Sequence, residues 1–166
     1  MDTPLSDESI QRALPNARVM KYDELAQFKK LPKLPLVLLY ETSPDFGHWV
    51  TILRTPEGIE HFDPYGIIPD DELKWVPPGF RSQSSQDMKH LLALLYGSGK
   101  KINYSPYKLQ GDESSTCGRW AILRNRMSEF GNDDFARTVL EVAHQLNMTP
   151  DELVIAAVPE RTPFKP

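Results

Sequence analysis

A single cysteine, Cys117, in a chain of 166 residues removes two of the usual ways of bracing a small fold. One thiol cannot close an internal disulfide, and it cannot supply the paired sulfur ligands of a structural zinc site. The fold must therefore rest on an apolar core. With 40% hydrophobic residues, the chain suffices for one domain that buries about two-thirds of its unfolded surface. Cys117 itself is then either a small buried hydrophobe, the usual fate of a free cysteine, or a nucleophile.

Its surroundings bear on that choice. Trp120, Ala121, Ile122, Leu123, Met127 and Phe130 recur at helical spacing, with Arg119, Arg124, Asn125 and Arg126 between them. This predicts a helix over 117–130, with Ser114, Ser115 and Thr116 as candidate N-caps and the three arginines on its solvated side. The thiol falls in the first turn, where unpaired backbone N–H groups and the positive end of the helix dipole favour the thiolate. Gly118 costs ~1 kcal/mol inside a helix relative to alanine. Either a substrate backbone approaches it closely or the helix end packs tightly on a strand.

The upstream half reads as strands. Leu36-Val37-Leu38-Leu39-Tyr40 is a short apolar run after Leu31-Pro32-Lys33-Leu34-Pro35, and His48-Trp49-Val50-Thr51-Ile52-Leu53 follows the turn Ser43-Pro44-Asp45-Phe46-Gly47. The turn Thr55-Pro56-Glu57-Gly58 joins it to Ile59-Glu60-His61-Phe62-Asp63, predicting an antiparallel hairpin, with Lys101-Ile102-Asn103-Tyr104 as a further strand. His48 opens one strand and Asp63 closes the next, which can bring both side chains to one end of the sheet. A carboxylate there fixes the tautomer and orientation of the imidazole, leaving its other nitrogen to take a proton from a thiol. His61, two residues before Asp63 and so on its face, is the rival for the base. His90 and His144 fall within helical patterns.

Helices are expected over 6–14, 22–29, 84–96 and 133–146, and a last one from the cap Thr149 to residue 157. One domain over 1–158 and a proline-rich tail over 159–166 follow. The net charge of −4 and pI near 5.6 argue against a broad nucleic-acid footprint. No apolar run reaches the roughly 18–20 residues needed to span a bilayer, and the acidic start lacks the marks of a signal peptide, so no membrane partner and an intracellular site are expected. With no cysteine cluster and no His-x-x-x-His pair, neither metal nor cofactor is expected.

His48-Trp49, then Phe62-Asp63-Pro64-Tyr65-Gly66, then Gln110 seven positions before Cys117-Gly118, form an ordered set that resembles the adenain family of adenovirus maturation proteases. More broadly it is similar to the ubiquitin-like-protein protease superfamily of cysteine peptidases. The resemblance runs from about Leu36 to Phe130; papain-type enzymes place the cysteine before the histidine. It implies Cys117 as nucleophile, His48 as general base and then acid, Asp63 as the group that orients His48, and Gln110 as oxyanion-hole donor. It implies that Trp49 covers a channel for glycine before the scissile bond, though a tryptophan there also suits the core; Gly118, from its cost in the helix, is a second candidate substrate contact. The family's activators are DNA and a peptide joined through a second cysteine, and this chain has no second cysteine.

The expected fold is α+β: a small, mostly antiparallel sheet packed on a central helix that starts at the nucleophile, with helices around it. The expected function is a cysteine endopeptidase cutting near glycine through a thioester, in a virus that matures capsid or core precursors in host cytoplasm, nucleus or virion. Its partners would be protein or peptide substrates. The alternatives are an isopeptidase acting on ubiquitin or a ubiquitin-like modifier, and an inactive peptide-binding relative.

Overall fold

The computed structural model describes residues 3–159, so all of the predicted tail except Pro159 lies outside the described residues. The fold is α+β. Five strands, β1 (Arg18–Lys21), β2 (Leu36–Ser43), β3 (Phe46–Thr55), β4 (Gly58–Phe62) and β5 (Ile102–Tyr104), form one sheet in sequence order. The pairings β2–β3 and β3–β4 are antiparallel, whereas β1–β2 and β4–β5 are parallel. The sheet is thus mixed where a mostly antiparallel one was expected. Parallel neighbours need a long crossover, and the stretches between β1 and β2 and between β4 and β5 supply them. β1 carries one buried residue in the pattern eiBi, which explains why it has no sequence signature.

β2 is buried on both faces, as its continuous apolar run requires. Val37 and Leu39 join Trp49 and Phe62 on one side; Leu36, Leu38 and Tyr40 join Val50 and Ile52 on the other. The first side is covered by α1 (Asp7–Ala13), α4 (Cys117–Arg126), α5 (Asn132–Gln145) and α6 (Pro150–Ala157). The second is covered by α3 (His90–Gly97) and the 3₁₀ turn Tyr22–Gln27. α2 (Pro78–Gln83) precedes α3. Ser6 caps α1 by accepting from Ser9 N at 3.1 Å, and Thr149 and Glu152 form a capping box on α6, both at the predicted starts.

Two expectations are corrected. The helix predicted over 84–96 begins only at His90, because Ser85 has φ 52° and Gln86 is drawn into the β2–β3 bulge. There its side-chain amide accepts from Glu41 N and donates to Glu41 O, each at 2.8 Å. Of the three arginines assigned to solvent, Arg119 is 1% and Arg124 0% exposed; Arg126 is exposed. Arg119 donates to Val158 O and to Thr3 O, tying α4 to both ends of the domain. Arg124 donates to Asn132 Oδ1, Met127 O and Phe130 O and lies over the Phe135 ring. It collects carbonyls of the loop that ends α4 at Arg126, short of the predicted residue 130. An arginine spaced like a surface residue can be buried when its guanidinium finds carbonyl and amide oxygens to donate to.

One further anchor bears on the site. Asp70, at φ 68°, sits ahead of the 3₁₀ turn Asp71–Trp75. Its Oδ1 accepts from Tyr22 Oη at 2.8 Å and Tyr40 Oη at 2.9 Å, and its Oδ2 from Leu92 N at 2.8 Å. The two tyrosine rings stack with centroids 4.8 Å apart. This network clamps the Asp71–Trp75 turn to β2 and to the first turn of α3.

Candidate active site

His48 lies near the start of β3, on the face of Val50 and Ile52. Phe62 at the end of β4 pairs with Thr51, so Asp63 leaves the sheet at the end from which His48 projects. His48 Nε2 lies 2.8 Å from Asp63 Oδ1. The same Oδ1 accepts from Tyr65 N at 2.8 Å, an Asx-type turn that Asp-Pro sequences favour. The Tyr65 ring then stacks on the imidazole, centroids 4.5 Å apart and planes 17° from parallel. One motif thus holds the imidazole both by its edge and by its face.

That motif also positions the next part. Pro64 O accepts from Leu109 N at 2.8 Å and Gln110 N at 3.0 Å. Gly66 has φ 74°, and a Cβ there would meet Tyr107 C at 2.8 Å, so only glycine lets this turn lie against the segment leading to Gln110. Gln110 is buried, its Nε2 donates to Ser114 O at 2.9 Å, and its Oε1 has no partner. A carboxamide has two N–H bonds, so one remains beyond the bond to Ser114.

Cys117 begins α4, 5% exposed, and its thiol lies near enough to the His48 ring to favour the imidazolium. With Nε2 taken by Asp63, the nitrogen left for sulfur is Nδ1. Thr116 occupies the N-cap position but makes no capping bond; its hydroxyl donates to Asp151 Oδ1 at 2.7 Å. Asp151 Oδ1 also accepts from Ser114 Oγ, and its Oδ2 from Gly111 N at 2.9 Å. A carboxylate of α6 thus ties down the loop between Gln110 and Cys117. Sequence reasoning missed Asp151 because acidic residues in a helix's first turn are common for dipole reasons alone.

It also missed Glu72. This buried side chain of the Asp71–Trp75 turn brings Oε1 to 3.5 Å from His48 Nε2 and lies beside the Asp63 carboxylate. Burial pushes Asp63 up to about 6, against the neighbouring Glu72 and the hydrogen bond from Tyr65 N. Burial, opposed by His48 and helped by Asp63, pushes Glu72 up to about 9. For His48, burial works against the imidazolium, but the neighbouring Cys117 and, after it, Glu72 outweigh it, and the ring lies above its ordinary value. Burial, then the nearby Cys117, Glu72 and Asp63, push the Tyr65 phenol up to about 12. His48, Asp63 and Glu72 each bring one atom within 4.8 Å of the others, a set that could meet a metal ion.

Cys117, His48, Gln110 and Glu72 line one cleft of about 610 Å³, whose walls include Phe46 and Trp75, 51% and 54% exposed. Two predicted substrate contacts lie elsewhere. Trp49 is 4% exposed in the core under α4, with Nε1 donating to Leu5 O at 3.2 Å; it faces away from His48 because strand side chains alternate. Gly118 is buried, and a Cβ there would meet Leu5 Cβ at 3.1 Å and Trp49 Cδ1 at 3.4 Å, so tight packing against α1 and β3 explains it. His61, 1% exposed, has neither ring nitrogen partnered and does not line the cleft.

The chain is 33% identical over 159 residues to "Uncharacterized protein V9" of Sputnik virophage, across 90% of this chain and 91% of that one. It belongs to the family of that viral protein. No family model matches the chain, and no solved structure matches it. Among the described residues no helix is long and apolar enough to cross a membrane.

Proposed function

We propose that the protein is a cysteine peptidase of adenain-like fold that hydrolyses peptide bonds through a thioester. The observation that supports this reading is the ring of His48, held by Asp63 on one nitrogen and lining one open cleft together with Cys117, whose thiol acts on it. His48 takes the thiol proton, the thiolate adds to the scissile carbonyl, and the amine leaves with the proton that His48 returns. Water, deprotonated by His48, then cleaves the thioester and releases the acid. The remaining Gln110 N–H supports an oxyanion-donor role. Loss of one such donor typically lowers kcat by ~10²–10³, and Gln110→Ala is expected to do so with KM little changed.

With Trp49 and Gly118 in the core, the cleft offers exposed Phe46 and Trp75 as its substrate-facing walls. Peptides with an apolar side chain near the scissile bond fit it better than glycine alone. The virophage relative favours a viral setting, with capsid or core precursors as substrates. The test is peptide-library cleavage by the purified chain and by Cys117→Ala. Cleavage that vanishes in the variant supports the reading; cleavage that persists, or its absence from the native chain, overturns it. Rapid labelling of Cys117 by ubiquitin-type vinyl sulfone probes, without peptide cleavage, would move the assignment to a modifier isopeptidase.

A further inference from the structure

Two carboxyls meet behind His48, and only Asp63 has a role so far. Glu72 reaches the same ring nitrogen at 3.5 Å from a turn that Asp70 clamps two residues earlier. Leu73, buried in the core beside it, fixes the turn's orientation. Asp63 Oδ2 and Glu72 Oε1 are both buried with no hydrogen-bond partner. Two adjacent carboxylates in a dry site do not both ionise; they hold one proton between them. Asp63 Oδ1 already accepts from His48 and Tyr65 N, so the proton belongs on Glu72, pointing at Asp63.

We propose that Glu72 is a positioning residue for His48: it stays protonated, donates to Asp63, and so presents the imidazole with one negative charge in place of two. This rests on reading His48 and Cys117 as the reacting pair. A single charge orients the ring and stabilises the imidazolium that forms. A double charge would hold that proton on His48 and hinder its return to the leaving amine. The groups facing Glu72 are His48 from β3, Asp63 and Tyr65 after β4, and Asp71 on its own turn.

The test uses the full-length chain and two readouts. Carboxyl ¹³C NMR at pH 7 is expected to show Glu72 protonated and Asp63 ionised, in the native chain and in Cys117→Ala alike. An ionised Glu72 at pH 7 overturns the proposal whether or not the protein cleaves peptides. In peptide turnover, Glu72→Ala is expected to lower kcat by ~10- to 100-fold, the scale of a misplaced catalytic group, with KM little changed. Glu72→Gln, whose amide N–H replaces the acid O–H, is expected to recover most of that loss. A glutamine variant as poor as the alanine one, at equal folded fraction, also overturns it, because charge and not donation would then be what matters. Should neither variant fold, the native ¹³C signal decides alone. Absence of peptide cleavage combined with a protonated Glu72 would sink the peptidase reading and leave the shared proton standing.

Discussion

Asp63 and Asp70 lie seven positions apart on the same excursion from the sheet, and each is 1% exposed. Burial raises the pKa of both. What differs is how completely each is answered. Asp70 receives two phenol hydroxyls and a backbone N–H, split over both oxygens. Asp63 spends one oxygen on His48 and Tyr65 N and leaves the other to a carboxyl that is itself buried. Fully satisfied buried polar groups rigidify a fold, whereas partly satisfied ones mark places where a proton or a ligand is exchanged. The pair thus separates scaffold from chemistry within one short segment.

The sharpest way to break the comparison is to change each aspartate to asparagine and measure two quantities. Asp63→Asn keeps the shape but offers an N–H where His48 needs an acceptor, and loss of tautomer control in such a triad costs up to ~10⁴ in kcat. Denaturant unfolding should move too, by about 1–3 kcal/mol, because the amide strands a buried neighbour. Asp70→Asn should act mainly on stability. One amide N–H would face Leu92 N–H, and stranding a buried donor costs about 2 kcal/mol, while kcat per folded molecule should fall by at least ~100-fold less than in Asp63→Asn. If both substitutions act mainly on stability, Asp63 belongs to the scaffold too.

The same contrast explains what could be read from the sequence. His48, Asp63 and Cys117 could be placed because each stands near an element edge that apolar runs and turn residues define locally, whereas Gln110, in the loop between β5 and α4, rested on the resemblance alone. The helices α1, α4, α5 and α6 and the hairpin β3–β4 were legible for the same reason. Glu72, Asp151 and Asp70 were not, since their partners are distant in sequence and an acidic residue near a helix start has an ordinary local explanation. Arg119 and Arg124 misled because helical spacing gives the face but not what covers it; α5, α6 and the chain ends cover it here. Trp49 misled in the opposite direction: a motif neighbour of His48 on alternate strand geometry necessarily points to the other side of the sheet.

The measurement that resolves the comparison most finely is the pH dependence of stability. Glu72 lies near 9 in the folded chain, above its ordinary 4.5, so the folded state binds a proton that the unfolded state releases. Its contribution is complete below about pH 4.5 and is lost as pH rises toward 9, at no more than ~1.4 kcal/mol per pH unit for one proton. His61 has the opposite sign. Burial, with some help from His48, lowers it from 6.5 to about 3, so the unfolded chain takes up a proton that the folded ring refuses. Its contribution is intact above pH 6.5 and is lost as pH falls toward 3. Unfolding midpoints should therefore decline on the alkaline side because of Glu72 and on the acid side partly because of His61. Glu72→Gln should flatten the limb between pH 7 and 9, and His61→Leu the limb between pH 6 and 4, each leaving the other limb in place. An alkaline limb unchanged in Glu72→Gln would mean that the carboxyl beside Asp63 is already ionised at neutral pH, and the distinction between the shared proton at Asp63 and the complete network at Asp70 would fail.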